Sequence, residues 1–372
     1  MRTFGVEEEL LLVDATSLEP QPLGELTVAL EGETTSSGHQ LTTEFKQEQL
    51  EVVSPPQRTL EGQLEAIRTG RALAKEAVAL AGGQVAALPI APGEHISHRV
   101  PGSRNHRIAQ RFGATATEQL TNGFHIHVEI KSREEGVAAL DRIRIWLPLL
   151  LALSSNSPFT NGDETGFASY RYQAWSRWPT SGPTEIFGNA AGYAAHREAL
   201  LHTKVPLDSG MLYFDARLCE HQPTLEVRVA DVCLKAEHAA VIAALARALV
   251  ESAVRQQQQE PPQVTATILR TWSWQASRYG VESELTQPRT GKLASASDAM
   301  AQLLEEVGPV LAEYGEEQRV QEVVADILQD GSGAHIQRQI YEQHHSIADV
   351  MRVVLDATHD EDRSRQVPHP PE

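Results

Sequence analysis

Two glutamates, Glu7 and Glu9, stand two residues apart inside an otherwise apolar stretch, Thr3-Phe4-Gly5-Val6-Glu7-Glu8-Glu9-Leu10-Leu11-Leu12-Val13. Side chains of an extended chain alternate between faces. Phe4, Val6, Leu10 and Leu12 then share one face, and Gly5, Glu7 and Glu9 the other. Two like charges about 5 Å apart repel by roughly 3 kcal/mol at an effective dielectric near 20. Such a pair either waits for a cation or lies on a solvated acidic edge, and two glutamates alone leave both readings open. Glu8 falls on the apolar side and needs an arginine or lysine behind the sheet, or a less regular strand.

Four further stretches set polar groups opposite or beside an apolar face. Glu44 and Glu51 lie in an extended segment over residues 41–53; being seven apart they have opposite parity, so a bulge or bend is required to bring both to one site. His125, His127 and Glu129 point away from Phe124, Ile126, Val128 and Ile130. Tyr213, Asp215 and Arg217 oppose Phe214, Ala216 and Leu218, while Glu226 and Arg228 oppose Leu225, Val227 and Val229. Each set has a plain structural reading: Glu226/Arg228 and Asp215/Arg217 as ion pairs, His127 as a packed or supporting imidazole, Glu129 as a solvated strand end. On one open face of an antiparallel sheet they would instead gather carboxylates, one or two imidazoles and two guanidiniums. Oxygen donors with at most one imidazole suit Mg²⁺ or Mn²⁺ better than Zn²⁺. Clusters of that type hold nucleotide phosphates, and an arginine among them would stabilise charge on a transferred phosphoryl group.

The elements that must position these groups are legible in outline. Residues 17–38 read as a loop, and 59–80 as a helix closed by Gly82-Gly83. A short strand is expected over 85–90, a short basic helix over 105–112, and a second long helix over 134–153. Residues 154–192 are mostly irregular, and loops of that length are usually functional or disordered. The aromatics there, with Arg171 and Arg177, favour a loop that covers a substrate. A strand over 211–218 is expected to form a hairpin with 224–231, and from Lys235 onward the chain reads as helical. The expected organisation is a single catalytic domain over 1–358 with a polar, proline-rich tail over 359–372.

Composition narrows the partners. The 372 residues carry a net charge of −18, which argues against nucleic acid and anionic membranes. Cys219 and Cys233 are the only cysteines, so there is no disulfide framework and no Cys/His zinc pattern. The chain enters a strand within three residues, leaving no room for a signal peptide, and its longest apolar run, 145–153, contains Pro148 and is too short to cross a bilayer. A cytoplasmic protein is expected. No P-loop, GxGxxG, HExxH or GxSxG motif is present.

Taken in order, Gly5-Val6-Glu7-Glu8-Glu9-Leu10, Thr43-Glu44-Phe45, Gln49-Leu50-Glu51-Val52, Gly123-Phe124-His125-Ile126-His127-Val128 and Thr224-Leu225-Glu226-Val227-Arg228-Val229 resemble the glutamate–cysteine ligase type 2 family, a group of bacterial carboxylate–amine ligases. Ser157-Pro158-Phe159, Ala168-Ser169-Tyr170-Arg171, Arg177-Trp178-Pro179-Thr180, Phe214-Asp215-Ala216-Arg217 and Ser277-Arg278-Tyr279-Gly280 extend the resemblance to about residue 355. Lys46, where the family usually has an apolar residue, and Asn156, where a small one is usual, depart from its pattern. The resemblance implies an α+β, glutamine-synthetase-like fold, a curved antiparallel sheet with helices packed on its outer face. It implies ATP-dependent joining of a carboxylate to an amine through an acyl phosphate. It assigns metal positions to Glu7, Glu9, Glu44, Glu51, His125 and Glu226, and places Arg228 at the transferred phosphoryl group beside Glu226. Arg171, Arg177, Arg217 and His127 are then expected to contact substrate or nucleotide.

The resulting expectation is an ATP- and Mg²⁺- (or Mn²⁺-) dependent ligase acting on small molecules, with glutamate as carboxylate and cysteine or another amine as acceptor. Two alternatives stand beside it: a metal- and nucleotide-binding homologue with little or no catalysis, and a small-molecule kinase on the same sheet. The sequence leaves a homodimer possible.

Overall fold

The computed structural model describes residues 1–31 and 35–359; the expected tail lies, beyond His359, outside them. Seven strands form one antiparallel sheet: β1 (Phe4–Asp14), β2 (Gln40–Thr43), β3 (Gln49–Val53), β4 (Gly83–Ala86), β5 (Phe124–Glu129), β6 (Ala216–Leu218) and β7 (Thr224–Val227), in spatial order β2-β3-β1-β5-β7-β6. β1 lies between β3 and β5. Its second half, from Leu11 to Asp14, pairs with β4 instead of β5.

One face of this sheet is the core. Phe4, Val6, Leu10, Leu12, Leu50, Phe124, Ile126, Val128, Leu225 and Val227 are buried against two long helices, α1 (Leu60–Leu80) and α3 (Ala236–Arg255). The Thr59 hydroxyl caps α1 by accepting from the Gly62 amide, and Gly82 ends it at φ +84°, a conformation that favours glycine. Glu8, alone among these inward positions in being charged, meets the Arg71 guanidinium on α1. The arginine expected behind the sheet is there.

The opposite face is open only over part of β1. Leu11 and Val13 continue the row of Glu7 and Glu9, yet both are fully buried, covered by Val350, Met351, Val354 and Leu355 of the last helix, α4 (Ile347–His359). That helix closes one end of the face and confines the polar groups to the other.

Several local expectations are corrected. Residues 41–53 are not one extended segment but β2 and β3, paired antiparallel with Thr42 opposite Glu51. The turn between them removes the parity conflict of Glu44 and Glu51 without a bulge. The loop expected over 17–38 contains a helix, Gly24–Glu31. The helix expected over 134–153 is interrupted: Arg133–Ile143 passes through a 3₁₀ turn, Arg144–Trp146, into Leu147–Ser154, with Pro148 in the first turn, where a missing amide costs nothing. Of the expected strand 211–218 only Ala216–Leu218 joins the sheet, while Phe214 makes an isolated bridge to Gly182. Helices Tyr170–Trp175 and Ala190–His202 order part of the region read as irregular. Among the described residues, no helix is long and apolar enough to cross a membrane.

Candidate active site

Cross-strand register, more than any single motif, assembles the site. Glu9 on β1 lies directly opposite Glu51 on β3, and Glu7 opposite His125 on β5. His127 faces Glu226 on β7, and Glu226 faces Arg217 on β6. Directly opposed side chains stand about 5 Å apart, so five strands deliver one contiguous row of acids and bases. Glu44 joins it from the turn after β2.

The contacts follow that row. The His125 Nδ1 lies 3.1 Å from Glu7 Oε2, and the His127 Nε2 3.2 Å from Glu7 Oε1. His127 Nδ1 is 3.0 Å from the Thr224 hydroxyl. Arg217 donates Nε to Glu226 Oε2 at 2.6 Å and Nη2 to Oε1 at 3.2 Å, and Arg228 donates Nη1 to the same carboxylate. Arg217 is fixed in turn by the carbonyls of Gly210 and Leu212, each at 3.1 Å. The Gly123 amide donates to Glu9 at 2.6 Å, and the Thr42 hydroxyl to Glu51 at 2.7 Å.

Charge is distributed unevenly. Burial pushes Glu226 up, but Arg228 and Arg217 outweigh it and hold the carboxyl well below the usual range. Glu7 is likewise driven up by burial and pulled far below its ordinary value by the two imidazoles. At the other end, among the described residues, Glu44 and Glu51 accept hydrogen bonds only from neutral donors, the Phe45 amide and the Thr42 hydroxyl. Burial and the charges of Glu9 and Glu7 push Glu44 up to about 8, and burial with Glu44, Glu7 and Glu9 raises Glu51 well above normal. The histidines part company: burial and Arg228 lower His125, whereas for His127 burial is overcome by Cys219, Glu7 and Glu226, which lift it to about 10. The Cys219 thiol is pushed up by burial but lowered, on balance, by the His127 beside it.

Three sets offer ligand atoms within 4.8 Å of one another: Glu9, Glu44 and Glu51; Glu7, His127 and Glu226; and Glu7, Glu51 and His125. Three carboxylates so close, two of them forced towards protonation, make a donor set fitted to a hard divalent cation. All six positions expected to hold metal therefore come together, and His127 joins them.

A chamber of about 440 Å³ opens over the Glu9, Glu44 and Glu51 end, and also reaches His125, Glu226 and Arg228. Its outer wall is aromatic: the Trp175 and Tyr213 rings lie 4.8 Å apart and Trp178 and Tyr213 5.4 Å. Arg104, held to Asp208 at 2.8 Å, stands at its edge. A smaller cavity of about 250 Å³ adjoins Glu7 and His127 on the other side, walled by Gly5, Ser54, Pro55, Pro56 and Thr224.

Not every expected residue reaches these cavities. Arg171 is buried beneath the site, its guanidinium on the carbonyls of Arg228 and Val229 at 3.3 Å and 3.8 Å from Asp231. Arg177 pairs with Glu118 at 2.8 Å and lines a neighbouring chamber. Asp215 turns inward to accept from the Tyr172 hydroxyl at 3.0 Å, because it precedes β6 and escapes the strand's alternation. Arg217 and His127 do line the main chamber. Arg104, Gln119, Thr121 and Cys219 line it too and carry no motif; the basic character of α2 (Ser103–Phe112) was the only signal for Arg104.

The family model described as glutamate-cysteine ligase family 2 matches residues 3–362. A protein of Paenarthrobacter aurescens, provisionally named glutamate–cysteine ligase 2-1, is 49% identical over 369 residues, covering 96% of this chain and 95% of its own. One of Streptomyces avermitilis, also provisionally named glutamate–cysteine ligase 2-1, is 42% identical over 94% of this chain and 98% of its own. Among solved structures, glutamate–cysteine ligase of Francisella tularensis in complex with AMP superposes with a TM-score of 0.66 at 13% identity, covering 99% of this chain and 90% of that one. The fold is thus the glutamine-synthetase-like fold of glutamate–cysteine ligases, and the chain belongs to glutamate–cysteine ligase family 2.

Proposed function

We propose that the protein is an ATP- and Mg²⁺-dependent carboxylate–amine ligase that activates glutamate as an acyl phosphate and passes the acyl group to an amine, cysteine being the first candidate. The observation that carries this reading is the cluster of Glu9, Glu44 and Glu51, whose ligand oxygens lie within 4.8 Å with Arg228 lining the same chamber. Family membership supports the class of reaction.

Glu9, Glu44 and Glu51 would hold one divalent ion, and Glu7, Glu226 and an imidazole another. Bound there, such ions neutralise phosphate charge. The residues divide the remaining work. Pro55 and Pro56, beside the side-chain-free Gly5, suit the flat face of a nucleotide base, which sets the triphosphate running towards Glu7 and His127. The larger chamber takes the carboxylate from the opposite side, so donor and acceptor meet across the row of acids. Arg228 is kept charged by Glu226 and faces the region where negative charge grows on the transferred group. Arg217, pinned by two carbonyls, fixes the orientation of Glu226 and so of Arg228. Trp175, Trp178 and Tyr213 limit water around an acyl phosphate that hydrolysis would waste.

The test is ADP release from ATP with glutamate and cysteine, with and without Mg²⁺, and mass analysis of the product. A ligase sustains rapid ADP release only with carboxylate and amine together, and yields an amide with one phosphate released per ADP. A stable phosphorylated metabolite formed without amine would favour the kinase, and nucleotide binding without turnover the inactive homologue.

A further inference from the structure

The Arg171 guanidinium is buried beneath the row of acids and lines neither cavity of the site. Its Nη1 donates to the Val229 carbonyl and its Nη2 to the Arg228 carbonyl, each at 3.3 Å. The same Nη2 lies against Gly123, where a Cβ would stand 2.5 Å from it and 2.9 Å from His125 Nε2. Gly123 in turn holds Glu9 twice. Its amide donates to the carboxylate at 2.6 Å, and its carbonyl accepts from the Glu9 amide at 3.1 Å. Gly123 also bridges to Asp231, on the segment that follows β7.

On the ligase reading above, we propose that Arg171 is a positioning residue: through backbone alone it fixes how far Arg228 stands from Glu9. That span is where a cation and the transferred phosphoryl group must fit. Three observations carry the assignment. One guanidinium touches both sides of the span, the main chain of Arg228 on one and the glycine that orients Glu9 on the other. Its own base is fixed. The Ser157 hydroxyl accepts from the Arg171 amide at 3.1 Å, and Ser169 caps the helix Tyr170–Trp175. Both hydroxyls donate to Asp231, which also takes the Asn156 amide. The charge itself is poorly matched for holding the fold. Arg171 Nε has no acceptor among the described residues, and Asp231 stays 3.8 Å from Nη1. A buried cation so loosely satisfied stabilises less than an apolar side chain of its size would, so its placing serves the groups above it.

The experiment uses the full chain and reads Mn²⁺ affinity by calorimetric titration without nucleotide, and kcat with KM for ATP and glutamate. Arg171→Lys keeps the charge but cannot span two carbonyls and Gly123. It is expected to lower kcat by about 100-fold, the loss that a misplacement of roughly 1 Å brings, with both KM values within about twofold. Mn²⁺ should bind about tenfold more weakly, as when a group behind a metal ligand is removed. Arg144→Met is the matched control, because that guanidinium is also buried on carbonyls, those of Asp141, Thr184 and Val264, and lines neither cavity. It should lose thermal stability and keep kcat and Mn²⁺ affinity. Ser157→Ala loosens the base of Arg171 and leaves the guanidinium in place. It should lower kcat about tenfold, and it decides the matter where Arg171→Lys does not fold. Variants of Arg171 and Ser157 that lose stability alone, as Arg144→Met does, overturn the proposal and leave the ligase intact. A raised KM for glutamate or ATP with kcat unchanged overturns it too, since that marks direct contact with substrate. A parent that releases no ADP with any amine removes the ligase reading, and Mn²⁺ affinity alone then decides whether Arg171 places Glu9.

Discussion

Glu8 and Arg71 form a two-pronged ion pair inside the protein, Nε to Oε2 at 3.0 Å and Nη2 to Oε1 at 2.7 Å, with both residues about 2% exposed. The same guanidinium also donates to the carbonyls of Leu234 and Cys233 at 2.8 and 2.6 Å. One side chain therefore ties β1, which carries two of the clustered acids, to α1 and to the segment that follows β7. Register between β1 and β7 is what brings Glu7 to Glu226 through His127, so this pair sets the site from behind the sheet.

Removing one partner of such a pair leaves a buried charge unpaired, which costs about 3–5 kcal/mol. Arg71→Met alone should lose that much in urea unfolding. The double replacement Glu8→Leu with Arg71→Met should recover the part due to the unpaired charge, since an apolar pair of similar volume is often neutral, leaving the cost of the Leu234 and Cys233 carbonyls that lose their donor. A single variant within about 1 kcal/mol of the parent would show that the pair holds nothing together.

Arg228 and Arg217 converge on one carboxylate, but only Arg217 is anchored to backbone. Arg228→Ala should lower kcat for ADP release by about 100-fold or more, the usual loss when one donor to a developing charge is removed, with a melting temperature close to the parent's. Arg217→Ala should lower melting temperature as well, because it frees residues 210–212. Equal melting losses in the two variants would contradict the division of roles.

Much of this was legible in the sequence and some was not, for physical reasons. Alternation within β1, β5 and β7 reports facing directly, so Glu7, Glu9, His125, His127 and Glu226 could be placed together and Glu8 apart. Alternation says nothing where pairing stops. Asp215 sits one residue before β6 and turns inward, and Arg171, in the short helix Tyr170–Trp175, reaches the backbone beneath Arg228. Glu44 and Glu51 looked incompatible because the turn separating β2 from β3 carries no glycine or proline to announce it. The cover that α4 places over Leu11 and Val13 depends on contacts more than three hundred residues apart, which no local pattern records.

His238 lies near the start of α3, buried, with Lys235 and Arg71 as its charged neighbours; burial first and those cations next lower its pKa to about 4. The unfolded value is near 6.5. Above pH 6.5 the ring is neutral in both states and contributes nothing. As pH falls from 6.5 towards 4 the unfolded chain takes up the proton first, so stability is lost across that window and the loss levels off below it. Between pH 7 and 4.5 the parent should lose about 2 kcal/mol more than His238→Leu in urea unfolding. Parallel losses in the two proteins would mean that His238 is not the group responsible.

Glu44 gives the opposite sign. Burial and the nearby Glu9 and Glu7 raise it to about 8 when folded, against about 4.3 in an unfolded chain. With divalent ions chelated, the folded protein keeps a proton that the unfolded chain releases, so stability is greatest at low pH and declines as pH rises towards 8. Glu44→Gln removes that penalty and should stabilise the chelated protein at pH 8 by about 1–3 kcal/mol. The same substitution should abolish stabilisation by Mg²⁺ or Mn²⁺, because an amide is a poor replacement for a carboxylate among Glu9 and Glu51. Cation binding to the parent should release protons at pH 7, detectable by calorimetry in buffers of different ionisation enthalpy. A Glu44→Gln protein that is less stable than its parent under chelation, and still stabilised by Mn²⁺, would mean that this cluster of acids is not a cation site.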